Sequence, residues 1–165
     1  MEKGKIWRSV IAIILIVTLL LIGAVPALAI KGDSPANDNP NNLYLYQKDA
    51  DAAWGIVWDG AWGKYNYSLS STVITGPFNG HGLAPGTNYT LIEYDGWPNV
   101  TVIGSGVADA SGDVHITGTV DVGTGGEVLD KYKIWLVLSS DINASGALAG
   151  WNPSQYLFEH NLIPN

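Results

Sequence analysis

From Leu43 onward, short apolar or alternating runs recur between clusters of Gly, Asn, Asp and Pro, the pattern of antiparallel strands joined by tight turns. Hydrophobic residues make up 47% of the chain and charged residues 14%, too apolar a balance for a disordered polymer, while 20 glycines are too many for a helical bundle. An all-β domain is the architecture that fits both facts. About eight strands are expected.

The first strand is placed at 43–47. The second, 54–58, is expected to meet 61–69 across Asp59-Gly60, a dipeptide suited to the positive φ angles of a type I′ hairpin. That turn puts Tyr65, Tyr67 and Leu69 on a core face with Trp54, Ile56 and Trp58, and Trp62, Lys64, Asn66 and Ser68 on the other. Further strands are expected at 72–78, 89–94, 100–108 and 114–122. In the last of these, Val114, Ile116 and Val120 alternate with His115, Thr117, Thr119 and Asp121. Residues 133–139 are apolar on both faces and should lie centrally in a sheet, with a final strand near 156–160. A helical turn is expected over 126–132 and a turn over 151–154.

Ahead of this lies a leader. Lys3, Lys5 and Arg8 form a positive start, residues 10–25 an almost unbroken apolar run, and Ala27-Leu28-Ala29 the small-residue ending that signal peptidase accepts. Residues 1–29 read as a signal peptide with a helical apolar core. The alternative is an uncleaved membrane anchor, since 10–30 approaches the ~20 residues a bilayer crossing needs. Residues 30–42 read as a flexible tether and 43–165 as one domain outside the cytoplasm, secreted or held at the membrane by the leader. Setting aside Glu2, Lys3, Lys5 and Arg8 leaves five basic and fourteen acidic residues, a charge of −9, with no Arg. Such a surface repels phosphate and excludes nucleic acid as a partner. With no Cys, the domain has neither disulfides nor thiolate metal ligands and must rest on its core.

Within 82–91, Leu83, Pro85, Thr87 and Tyr89 occur at the intervals of the tyrosine-corner stretch of fibronectin type III and related immunoglobulin-like domains, which this segment resembles. The resemblance implies an antiparallel two-sheet sandwich, with the Tyr89 hydroxyl bonding back to the backbone at a corner between the sheets. Residues 108–114 look like the strand-loop-strand linkages of secreted sandwich domains. A fold of this kind does not fix a function.

No catalytic signature stands out, and the chain is read as a non-enzyme. Ser105 lies in a strand and fails the G-x-S-x-G elbow, and Glu93, Asp95, Glu127 and Glu159 could converge only through the fold. His81, His115 and His160 lack ligand spacing. Asp109, Ser111 and Asp113 offer alternate oxygens that could hold Ca²⁺, against the reading of a polar hairpin loop; no other cofactor is indicated. Asn66, Asn88, Asn99 and Asn143 head N-x-S/T sequons and are candidate glycosylation sites.

Among the tryptophans, Trp135 and Trp58 read as core, while Trp62, Trp97 and Trp151 neighbour Gly, Pro or Asn and are candidate ligand-binding rings, set against a role covering the ends of the sandwich. The function expected is a non-catalytic extracellular or cell-surface domain that binds or forms part of an envelope. Glycans and other envelope proteins are its expected partners. Alternatives are a carbohydrate-binding or adhesion module using these tryptophans, and a self-assembling surface-layer or filament subunit.

Overall fold

The computed structural model describes residues 41–121, 131–160 and 163–164. The expected leader at 1–29, the tether up to residue 40 and most of the expected turn at 126–132 lie outside the described residues. The described fold is all-β and antiparallel.

In chain order, β1 (Asn42–Tyr46), β2 (Lys48–Asp49), β3 (Gly55–Ile56), β4 (Trp62–Asn66), β5 (Ser68–Ser70), β6 (Val73–His81), β7 (Asn88–Tyr94), β8 (Val100–Val107) and β9 (Val114–Asp121) precede the break. After it come β10 (Lys131–Tyr132), β11 (Ile134–Leu138), β12 (Leu157–Glu159) and β13 (Ile163–Pro164). The long strands form one hydrogen-bonded path, β8-β7-β11-β12-β1-β4-β6, rather than two separately bonded sheets. Nine-residue β6 pairs with β9 along one edge and shares its other edge between β4 and β5. β11 lies between β7 and β12, and Leu136 and Val137 are fully buried, as its two apolar faces require.

The sheet curls until its two ends meet. β8 and β9 approach at glycines, where a Cβ on Gly104 would come within 2.8 Å of the Thr117 carbonyl oxygen and one on Gly118 would overlap the carbonyl of Ile103. The enclosed core holds Leu43 and Leu45, Tyr65, Ile74 and Phe78, Tyr89 and Leu91, Val114, Ile116 and Val120, Ile134 and Leu136, and Leu157. Each aliphatic side chain buried there contributes about 1.5–3 kcal/mol before the entropy of ordering is charged against it.

The expected hairpin across Asp59-Gly60 does not form. β3 turns back on β2, pairing Lys48 with Ile56, while β4 lies between β1 and β6. The reversal falls earlier in the chain, where Ala53 and Trp54 take left-handed φ angles of 55° and 62°, and the Gly60 amide is bonded locally to the Val57 carbonyl at 2.9 Å. The core face assigned to Tyr65 and Tyr67 stands, but Trp54 and Trp58 do not share it: they are 44% and 50% exposed. Pro153 and Ser154 of the expected 151–154 turn lie in a single 3-10 turn, Pro153–Gln155.

Candidate functional site

Side chains that point out of the sheet near its middle are aromatic. By register, Trp62 lies opposite Tyr46, Tyr46 opposite Phe158, and Phe158 opposite Trp135, one cross-strand row over β4, β1, β12 and β11. Directly opposed residues share a face and pack. Such a row would leave a broad apolar surface, and three loops lay further tryptophans beside it.

The loop between β2 and β3 carries Trp54. Its amide donates to the Asp49 carbonyl at 2.8 Å, and its ring stands edge-on to Phe158, centroids 5.4 Å apart. A bulky residue at φ 62° is an uncommon conformation that the surrounding contacts must sustain. The turn between β7 and β8 carries Trp97, before a cis Pro98 whose carbonyl accepts from the Leu148 amide at 3.0 Å. The third segment, 149–155, carries Trp151.

Trp151 is held through Asp141, a carboxylate only 6% exposed at the end of the 3-10 turn Ser139–Asp141. Asn152 Nδ2 donates to both of its oxygens at 3.0 and 2.9 Å, and the Tyr156 hydroxyl donates to Oδ2. The Asp141 carbonyl accepts from the amides of Ala149 and Gly150 at 2.7 and 3.1 Å. Burial first, and the Asp141 bond second, push the Tyr156 phenol above its ordinary range.

The three loops bring Trp54, Trp97 and Trp151 together at 44%, 54% and 46% exposure, too open for core residues of this size. Trp151 lies 6.1 Å from Trp54 at 57° and 6.4 Å from Trp97 at 88°. Beneath them Trp135 is 6.2 Å from Trp151 and stacks on Tyr94 at 3.8 Å. Two of the three tryptophans expected to bind, Trp97 and Trp151, are thus neighbours. Trp62 is not in contact with them: it is half-buried, with His81 at 4.8 Å and Tyr44 at 6.5 Å. Trp135, expected in the core, is partly buried and packs against it from the outer row.

Trp54 was missed as a surface ring because the alternation across 54–58 resembles a strand, and only the local left-handed turn reveals otherwise. Asp141 had no signal beyond its place after an apolar strand.

Asp109, Ser111 and Asp113 form a closed turn. Asp109 Oδ1 accepts from the amides of Asp113 and Ser111 at 3.0 and 2.8 Å, bonds that in that order hold its carboxyl below the usual range, and Asp113 Oδ1 is 2.9 Å from His81 Nδ1. His115 Nδ1 bonds to Asn79 Oδ1 at 2.7 Å. Among the described residues no group of three metal-ligating side chains converges. Asn66, Asn88, Asn99 and Asn143 are exposed, but the hydroxyl that the Asn88 sequon needs, on Thr90, is buried and bonded to Ser139 Oγ at 2.7 Å.

Two other carboxyls are perturbed. Glu93, 5% exposed, is pushed up to about 7 by burial and by the nearby Asp95 charge, against a hydrogen bond from Thr101. Burial also raises Glu159, opposed by Lys48 and Lys133 and by the Trp135 indole, which lies near it without completing a hydrogen bond. At the corner, the Tyr89 hydroxyl accepts from the Ala84 amide at 3.2 Å, with Leu83 buried beside it and Pro85 exposed.

Comparisons with family models, with curated proteins and with solved structures find no match to this chain.

Proposed function

We propose that this chain is a non-catalytic extracellular or cell-surface domain that acts by binding, and that its binding face is the exposed group of Trp54, Trp97 and Trp151. The observation that carries the reading is the convergence of three half-exposed indoles from three separate loops, one on a left-handed backbone and one pinned by a buried carboxylate. Exposed apolar patches with polar rims are interaction surfaces, and aromatic rings are the residues that dominate such contacts. Glycans or other envelope components are the partner classes. The architecture is read as a form of the immunoglobulin-like sandwich, with the bond from Ala84 to Tyr89 as its support.

Retention of the exported protein on purified envelope material, saturable and lost in Trp151→Ala, is the test. Retention unchanged by that substitution removes the face from the account. N-terminal sequencing of the same sample reads the leader: a start at Ile30 means cleavage, and a full-length, carbonate-resistant form means an anchor.

A second reading, self-assembly in a surface layer or filament, is favoured by Val102 and Val107, 43% and 59% exposed on β8. Concentration-dependent oligomers of the purified domain would support it.

A further inference from the structure

We infer that the group seated on the Trp54, Trp97 and Trp151 face is a methylated ammonium, as in choline. The inference rests on the reading of that face as the binding surface and adds the chemistry of what it takes.

Trp151 is turned 57° from Trp54 and 88° from Trp97 at centroid distances of 6.1 and 6.4 Å. Rings so tilted cannot lie together under one flat sugar ring. A compact, nearly spherical group can touch several of them at once, and the negative π face of each attracts a positive charge.

The loops around the rings carry negative charge. The ionisable side chains in segment 49–61 are Asp49, Asp51 and Asp59, and in 95–99 Asp95 stands two residues from Trp97; all four are exposed. Segment 143–155, which carries Trp151, has no Asp, Glu, Lys, Arg or His. Asp49 and Asp51 line a depression of about 400 Å³ together with Pro153 and Ser154, which brings the acidic segment before Trp54 beside the segment that carries Trp151. Lys48 also lines it, its Nζ turned to the Glu159 carbonyl at 2.9 Å; it keeps its charge, and the two carboxylates outnumber it there.

One fixed cation adjoins the face from behind, and the four exposed carboxylates outnumber it. Lys133 Nζ is 5.8 Å from the centre of the Tyr94 ring, which stacks on Trp135, itself a neighbour of Trp151. A methylated ammonium suits the exposed rings better than a small metal ion. It is weakly hydrated, so contact with indole faces costs it little, and it needs no converging oxygen ligands.

The test is a tryptophan-fluorescence titration of the exported protein at constant ionic strength with choline, its uncharged isostere 3,3-dimethylbutan-1-ol, and glycine betaine. Choline should quench saturably and bind at least tenfold tighter than the isostere. Betaine should bind more weakly than choline, because its carboxylate is repelled by Asp49, Asp51 and Asp95. Trp97→Ala should lose at least tenfold in choline affinity while keeping its melting curve. Sedimentation with phosphatidylcholine vesicles separates the sources: Trp97-dependent co-sedimentation assigns a lipid headgroup, and a response to free choline alone assigns a small solute. Equal binding of choline and the isostere overturns the inference. So does Trp97-dependent binding of a neutral oligosaccharide without response to choline, which leaves the binding face standing. If neither choline nor envelope material binds in a Trp97-dependent way, the face falls as well.

Discussion

Tyr156 donates its phenolic hydrogen to the buried carboxylate of Asp141, and the segment between them in space, 149–155, is the one that presents Trp151. A bond to a charged acceptor contributes about 1.5–3 kcal/mol, so Tyr156→Phe should lower stability within that range. Asp141→Ala should cost more, because it removes the acceptor of the Asn152 amide and leaves the buried Tyr156 hydroxyl only the long bond to the Gly150 carbonyl at 3.3 Å. Denaturant midpoints check both. The raised Tyr156 phenol also contributes stability that is full below the ordinary tyrosine range and lost as pH climbs through it, so Tyr156→Phe should lose less stability at alkaline pH than the parent.

The corner gives a smaller effect. Tyr89→Phe removes the acceptor of the Ala84 amide, and since Ala84 is exposed water can replace it, which limits the loss to about 1 kcal/mol. A midpoint unchanged within error would remove the hydroxyl from any structural role.

Acid should stabilise the domain. Glu93 titrates at about 7 in the folded chain, raised by burial and by Asp95. Its contribution is therefore full below the ordinary glutamate range and declines as pH rises from there to about 7. Glu159 shifts in the same direction. Melting temperatures measured from pH 4 to 8 should fall across that window, and Glu93→Gln should flatten the fall; an equal slope in the variant would contradict the assignment.

Closure of the sheet depends on two strands touching backbone to backbone. Gly118→Ala puts a methyl group into the Ile103 carbonyl, and overpacking of that kind costs about 1–3 kcal/mol or more where backbone must shift. Gly86→Ala meets no such neighbour, although its φ of 74° makes it a test of backbone strain alone. Thermal melts of the pair separate contact from conformation: the larger loss belongs to Gly118→Ala if β8 and β9 are as close as described.

Much of the β framework could be read from alternation. β7, β8, β9 and β11 fall within a residue or so of their expected spans, because their apolar pattern matches a sheet with one buried face or, for β7 and β11, two. The 54–58 segment misled for a physical reason: two residues in left-handed conformation reverse the chain just before β3, and their sequence, Ala53 and Trp54, lacks the Gly or Asn that marks such turns. Of the binding face, Trp97 and Trp151 were legible from their polar and turn-forming neighbours. Their proximity to each other and to Trp54 was not, since it arises from three loops separated by most of the chain. Asp141 was invisible for the same reason, as its partners Asn152 and Tyr156 are brought to it by the return of the chain into β12.

The most direct test of the binding face is Trp97→Ala, read for melting temperature and for retention on envelope material in one preparation. At 54% exposure this ring contributes little to the core, so the melting curve should lie close to the parent's and binding should weaken by about 2 kcal/mol or more. A variant destabilised by the ~3–5 kcal/mol typical of large-to-small core substitutions, or one that melts and binds like the parent, would contradict that expectation.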